Sequence, residues 1–283
     1  MDTPRLTTPP GACDTHMHVY ETRFGTPVRA QFALPQAPMA DYLAMQRRLG
    51  LARVIVVQAN AYGDDNRGML EAMRTAGDAA RGVAAVSPDI GEEALLALHA
   101  AGVRGARFHM LPGGARQWPE LEPVAERIAA LGWHIQLQLD GHELPRHAAR
   151  LRALPVELVI DHIGKFLDPG PPAPQDAAFR SLLQLLDTGR CWVKLSAPYE
   201  SSRSGTPDYA DVAPLARTLA RRHPGRCLWA SNWPHPAREP RPSDASLLDL
   251  LGDWTEDEAT RRRILVDNPA RLYGFDAPVE AGA

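Results

Sequence analysis

Short runs rich in valine and isoleucine recur at 13–20, 53–59, 82–87, 105–111, 133–139, 157–164, 191–197 and 227–233. Between them lie stretches with apolar residues at helical spacing, at 39–49, 65–80, 92–101, 118–131, 144–154, 176–188 and 209–222. A buried strand followed by a helix that carries the chain back to start the next strand implies parallel pairing. About eight such units in about 270 residues suit a closed (β/α)8 TIM barrel in a single domain better than an open doubly wound sheet. No Gly-x-Gly-x-x-Gly follows an early strand, which weakens a dinucleotide-binding alternative further. Proline-rich stretches at 33–38, 168–174 and 234–242 follow candidate strands and read as loops over the barrel mouth. The expected organisation is an N-terminal extension at 1–12, the barrel at 13–275, and a small acidic tail at 276–283 that frays.

Composition narrows the function classes. With 283 residues, 45% of them hydrophobic, the chain can bury a large core, and a net charge of −3 gives no positive field for nucleic acid or an anionic membrane. The arginine clusters at 146–152, 217–226 and 261–263 lie in helical stretches, where solvated faces account for them. No segment approaches the roughly 18 consecutive apolar residues of a membrane span, and the first ten residues lack the apolar core of a signal peptide. Cys13, Cys191 and Cys227 each open a strand-like run, as reduced, buried thiols of a cytoplasmic protein would. A small-molecule partner is therefore expected, without nucleic acid or membrane.

In a barrel of this kind, sites form at the carboxyl ends of the strands. That filter selects His16 and His18 on the first strand, Asn60 after the second, Arg107 and His109 on the fourth, and Gln138 and Asp140 on the fifth. It then adds His162 and Lys165, Lys194, Ser196 and Tyr199, and Asn232 and His235. His16 and His18 stand at i and i+2, so a strand points both rings to one face. With His162 they form a candidate cluster that either donates hydrogen bonds to a developing oxyanion or binds zinc. Asn232 stands where a catalytic carboxylate is expected, and a carboxamide orients or donates but is a poor general base. Arg107 is a candidate carboxylate clamp, because its planar fork matches two oxygens. Lys165 offers a second positive charge, and Asn60, Gln138 and Tyr199 suit hydroxyl or carboxylate contacts. His109 and Lys194 are expected in the supporting layer, His235 at the rim, and Arg104 on the surface.

The motifs Asp14-Thr15-His16-Met17-His18, Ile160-Asp161-His162-Ile163-Gly164-Lys165, Trp229-Ala230-Ser231-Asn232-Trp233-Pro234-His235 and Asn268-Pro269-Ala270-Arg271-Leu272-Tyr273 together resemble the amidohydrolase superfamily. Within it the resemblance is to the branch that holds 2-pyrone-4,6-dicarboxylate lactonase and D-galactarolactone isomerase, more to the latter, and it covers nearly the whole chain. It implies an amidohydrolase-like barrel and lactone chemistry without a required metal cofactor. It also implies His16, His18 and His162 about a lactone carbonyl, and Arg107 at a substrate carboxylate. The pyrone lactonase has an aspartate base at the position of Asn232, whereas the isomerase shares the asparagine but has glutamine at that of His16. This chain mixes the two patterns, and Tyr199 and Glu200 occupy a region where the pyrone lactonase places an arginine.

An intramolecular hydroxyl has an effective molarity on the order of 10⁵ M or more, so loss of a carboxylate base hurts attack by water more than attack by a neighbouring hydroxyl. The expected function is isomerisation of an anionic sugar-acid lactone, with His18 and His162 polarising the carbonyl. His16 shuttles a proton, Asn232 positions the hydroxyl, and Arg107 holds the carboxylate. The alternatives are a lactonase, a metal-dependent decarboxylase or hydrolase with His16, His18 and His162 as ligands, and a lactone-binding protein without turnover.

Overall fold

The computed structural model describes residues 3–24 and 33–276. Eight parallel strands follow one another around the sheet in chain order: β1 (Cys13–Met17), β2 (Arg53–Val57), β3 (Ala80–Ala84), β4 (Val103–His109), β5 (His134–Gln138), β6 (Leu158–Ile160), β7 (Cys191–Leu195) and β8 (Cys227–Trp229). Helices α1 (Met39–Arg48), α2 (Arg67–Ala76), α3 (Glu92–Ala100), α4 (Leu121–Ala129), α5 (Leu144–Ala153), α6 (Ala177–Asp187) and α7 (Ala213–Arg222) make the crossovers. The result is the expected (β/α)8 barrel. The segment that follows its last strand meets the end of the first through backbone bonds: Asn232 N donates to the His16 carbonyl and His18 N to the Trp233 carbonyl, both at 2.9 Å.

Strand alternation sorts the core into two layers. Val54, Val56, Leu158, Ile160, Val193 and Trp229 pack outward under the helices. Ile55, Val57, Val159, Trp192 and Leu228 form a separate inner cluster. Leu272, Tyr273 and Phe275 join this inner cluster from the chain's last segment. Asn268 ties that segment down, its amide donating to the carbonyls of Pro224 at 2.8 Å and Cys227 at 2.7 Å. Gly105 on β4 admits the His134 ring, since a Cβ there would lie 2.5 Å from Nε2. The three cysteines are free and buried, as expected.

All eight strands end before their apolar runs do, β6 and β8 by the most, four residues each. β6 stops at Ile160 because His162, Ile163 and Lys165 have positive φ, and β8 stops at Trp229, with Asn232 at φ 61°. Left-handed backbone breaks a ladder, and an apolar run does not reveal it. The structure also adds α8 (Asp244–Trp254), α9 (Glu258–Arg262), a π turn at Arg263–Asp267 and α10 (Asn268–Tyr273), where the sequence leads one to expect only a helical stretch about 261–263 beyond 222. Residues 277–283 of the tail lie outside the described residues. No helix among the described residues is long and apolar enough to cross a membrane.

Candidate active site

The deepest polar layer sits on the inner-cluster residues. Asp161 follows inward Val159 by two positions and Lys194 follows inward Trp192 by two, so both point into the barrel, where they are fully buried. Lys194 Nζ donates to Gln136 Oε1 at 2.7 Å and to the Thr15 carbonyl at 2.9 Å, and lies 3.5 Å from Asp161 Oδ1. Gln136 Nε2 donates to Asp161 Oδ2 at 3.2 Å. Burial lowers the Lys194 ammonium to about 8, against the opposing pull of Asp161. Burial alone would raise Asp161, but the Lys194 charge leads the groups that hold it below the ordinary carboxylate range. The pair is thus charged at neutral pH.

On this floor stands His16. Its Nδ1 lies 3.2 Å from Lys194 Nζ and 3.3 Å from Asp161 Oδ1, while its Nε2 meets His18 Nε2 at 3.1 Å. His18 Nδ1 is 2.8 Å from the Val57 carbonyl, which can only accept, so Nδ1 carries the proton. In a neutral ring His18 Nε2 is then an acceptor, and His16 Nε2–H is the donor between them. Burial lowers His18 to about 3 and drives His16 and His162 well below the ordinary histidine range, so all three are neutral at pH 7. His162 completes the cluster, its ring 5.0 Å from that of His16 and its Nδ1 2.9 Å from Ser196 Oγ.

Above the histidines opens a cavity of about 380 Å³ lined by His18, Tyr20, Arg107, His109, Gln138, His162, Lys165, Glu200 and Asn232 among others. Arg107 donates to the Gln58 carbonyl at 2.5 Å and to Gln138 Oε1 at 3.2 Å. Its Nε has no partner, and no carboxylate pairs with it among the described residues. Burial lowers its pKa. Lys165, by contrast, pairs with Glu200 Oε2 at 2.9 Å.

Asn232 owes its orientation to a chain of three bonds behind it. Asp244 lies 2.9 Å from His235 Nε2 and only accepts, so that nitrogen is protonated and, in a neutral ring, Nδ1 accepts from the Tyr199 hydroxyl at 2.9 Å. The Tyr199 oxygen accepts from Asn232 Nδ2, also at 2.9 Å. Asn232 Oδ1 is left as the amide end available to the cavity.

The candidates read from sequence fall into three groups. His18, His162, Asn232, Arg107, Gln138 and Lys165 line one cavity, with His16 directly beneath. Asn60 also lines it, but its amide donates to the Gly113 carbonyl and accepts from Ala115 N, which fixes the loop after β4. Tyr199 stands behind Asn232 and borders a neighbouring groove. Lys194 is in the supporting layer as expected, whereas His109 lines the cavity instead, because it shares the inward parity of Gly105 and Arg107. Gln136, Asp161, Glu200 and Asp244 were missed. Strand parity from Val159 and Gln138 signals the first two; Glu200 and Asp244 carry no such signal.

The metal-ligand set read from sequence also changes. His16, Asp161 and His162 bring ligand atoms within 4.8 Å of one another, and His18 is not in the group. The Lys194 ammonium contacts two of the three residues, so a divalent cation could enter this set only with loss of the lysine's proton.

A parallel eight-stranded barrel with His-x-His ending its first strand, a third histidine after its sixth, and a pocket at the carboxyl ends defines an amidohydrolase-type enzyme. The chain belongs to the amidohydrolase family, whose model matches residues 13–275. It is 40% identical to the D-galactarolactone isomerase of Agrobacterium fabrum, over 96% of this chain and 94% of that protein. It is 35% identical to the 2-pyrone-4,6-dicarboxylate hydrolase of Comamonas testosteroni, over 95% and 92%. A crystal structure of an Agrobacterium tumefaciens protein without ligand superposes with a TM-score of 0.91 at 38% identity, covering 97% of this chain and all of that one.

Proposed function

We propose that the protein isomerises an anionic sugar-acid lactone, moving the acyl group from one hydroxyl oxygen of the molecule to another without a metal. The observation that carries this reading is the neutral Asn232, held with Oδ1 toward the cavity where a base would stand, in a pocket whose Arg107 lacks a counter-ion. Arg107 takes the carboxylate. His162 Nδ1 pairs with Ser196 Oγ, and we assign it the tautomer in which the serine donates there and Nε2–H is offered to the lactone carbonyl oxygen. A neighbouring substrate hydroxyl donates to Asn232 Oδ1, which sets the ring so that the attacking hydroxyl points its own proton at His18 and adds to the carbonyl carbon. That proton passes to His18 Nε2, whose lone pair exchanges the His16 N–H for the hydroxyl, and on to the ring oxygen as the old C–O bond breaks. His18 therefore exchanges roles with the expectation from sequence: it accepts, and His16 donates to it.

A lactonase is the second reading, in which His18 Nε2, unprotonated and facing the cavity, takes its proton from water instead of from a substrate hydroxyl. Proton NMR of sugar-acid lactones in ¹⁸O water separates the two. Exchange of ring size without label supports isomerisation, and labelled open acid as the main product overturns it. Asn232→Asp should raise hydrolysis relative to ring exchange by about tenfold or more, the scale of one added general base.

A further inference from the structure

Three fixed charges face the cavity: Arg107, Lys165 and Glu200. The histidines around them are neutral, the Asp161 and Lys194 charges answer each other beneath, and Asp244 is engaged by His235 behind. Glu200 Oε2 binds Lys165 at 2.9 Å and Arg238 at 3.2 Å. Burial would raise this carboxyl, but Lys165 and then Arg238 outweigh it and hold it ionised. Among the described residues, Arg107 is therefore the one cation of the cavity lining without a paired carboxylate, since Glu200 already occupies Lys165 from between it and Arg238.

Resting on the lactone reading above, we propose that Glu200 is a charge selector that restricts the substrate to lactones with a single carboxylate. One carboxylate satisfies the Arg107 fork. A second must approach Lys165, where it meets the Glu200 carboxylate already in place, and like charges brought together discriminate by repulsion. The rest of such a substrate is uncharged, and the amide and imidazole groups of Gln138, Asn232 and His109 suit hydroxyls.

The test uses two probes on one scaffold, 2-pyrone-6-carboxylate and 2-pyrone-4,6-dicarboxylate, with affinities measured by calorimetry on the full chain. The wild type should prefer the monoacid by about tenfold or more. In Glu200→Gln the mono-to-diacid ratio should fall by about 10- to 100-fold, and in Lys165→Met it should rise, with circular dichroism confirming folded protein. Equal binding of both acids by the wild type, a ratio that Glu200→Gln leaves in place, or no binding of either acid overturns the selector. The readout needs no turnover. A ratio that moves as stated while no lactone reacts keeps the selector and defeats the lactone reading; turnover with a fixed ratio does the opposite.

Discussion

A guanidinium buried against a carbonyl and a carboxamide, as Arg107 is against Gln58 and Gln138, has lost water without gaining a counter-ion. Such a group destabilises the empty protein and becomes useful when an anion arrives. Arg107→Met is expected to weaken binding of a monocarboxylate lactone about 10²- to 10³-fold, read as a rise in KM, while raising the urea midpoint of the ligand-free protein. Arg107→Lys should recover little of the binding, because one ammonium does not replace a two-pronged fork. An unchanged KM in Arg107→Met would remove the residue from the carboxylate site. Tautomers also belong to this scale: two histidines that look alike in a His-x-His motif differ because only His18 reaches the Val57 carbonyl.

Strands β5, β6 and β7 each place a polar residue two positions beyond or before another inward one, and the Gln136, Asp161 and Lys194 layer results. Removing one member of a buried ion pair leaves the other unanswered. Lys194→Met should therefore cost about 3–5 kcal/mol in urea unfolding, and the double variant with Asp161→Leu should regain much of it. A Lys194→Met protein of wild-type stability would contradict the pairing. This layer was legible in the sequence in principle, since parity along a strand is a counting rule, and so were the barrel and the six side chains that line its mouth. The bends that end β6 and β8 were not, because His162, Ile163, Lys165 and Asn232 adopt left-handed backbone that a Val/Ile-rich run conceals. Nor was the Tyr199, His235 and Asp244 chain, whose members come from the turn after β7, the loop after β8 and the first residue of α8, with no shared spacing.

Across the molecule, His16, His18, His109, His134 and His162 are all held neutral, with His18, His109 and His134 lowered to about 3. Unfolding lets each take up a proton below about pH 6.5, so stability is lost as pH falls through that value. Asp14, raised by burial to about 6, opposes this, because its folded form binds the proton first between about pH 6 and 4. The balance is a net uptake of about four protons near pH 5, or roughly 5 kcal/mol of stability per pH unit. Since whole domains have about 5–15 kcal/mol to lose, the protein should unfold near pH 5. Equal urea midpoints at pH 7 and pH 5 would contradict it. The bonds that join the two ends of the sheet, Asn232 N to the His16 carbonyl and His18 N to the Trp233 carbonyl, link segments more than 200 positions apart. Residues that would handle the acyl group are thus also the clasp of the cylinder. A chain with an unfastened seam has no assembled catalytic centre, and regain of turnover during refolding times the moment the ring locks.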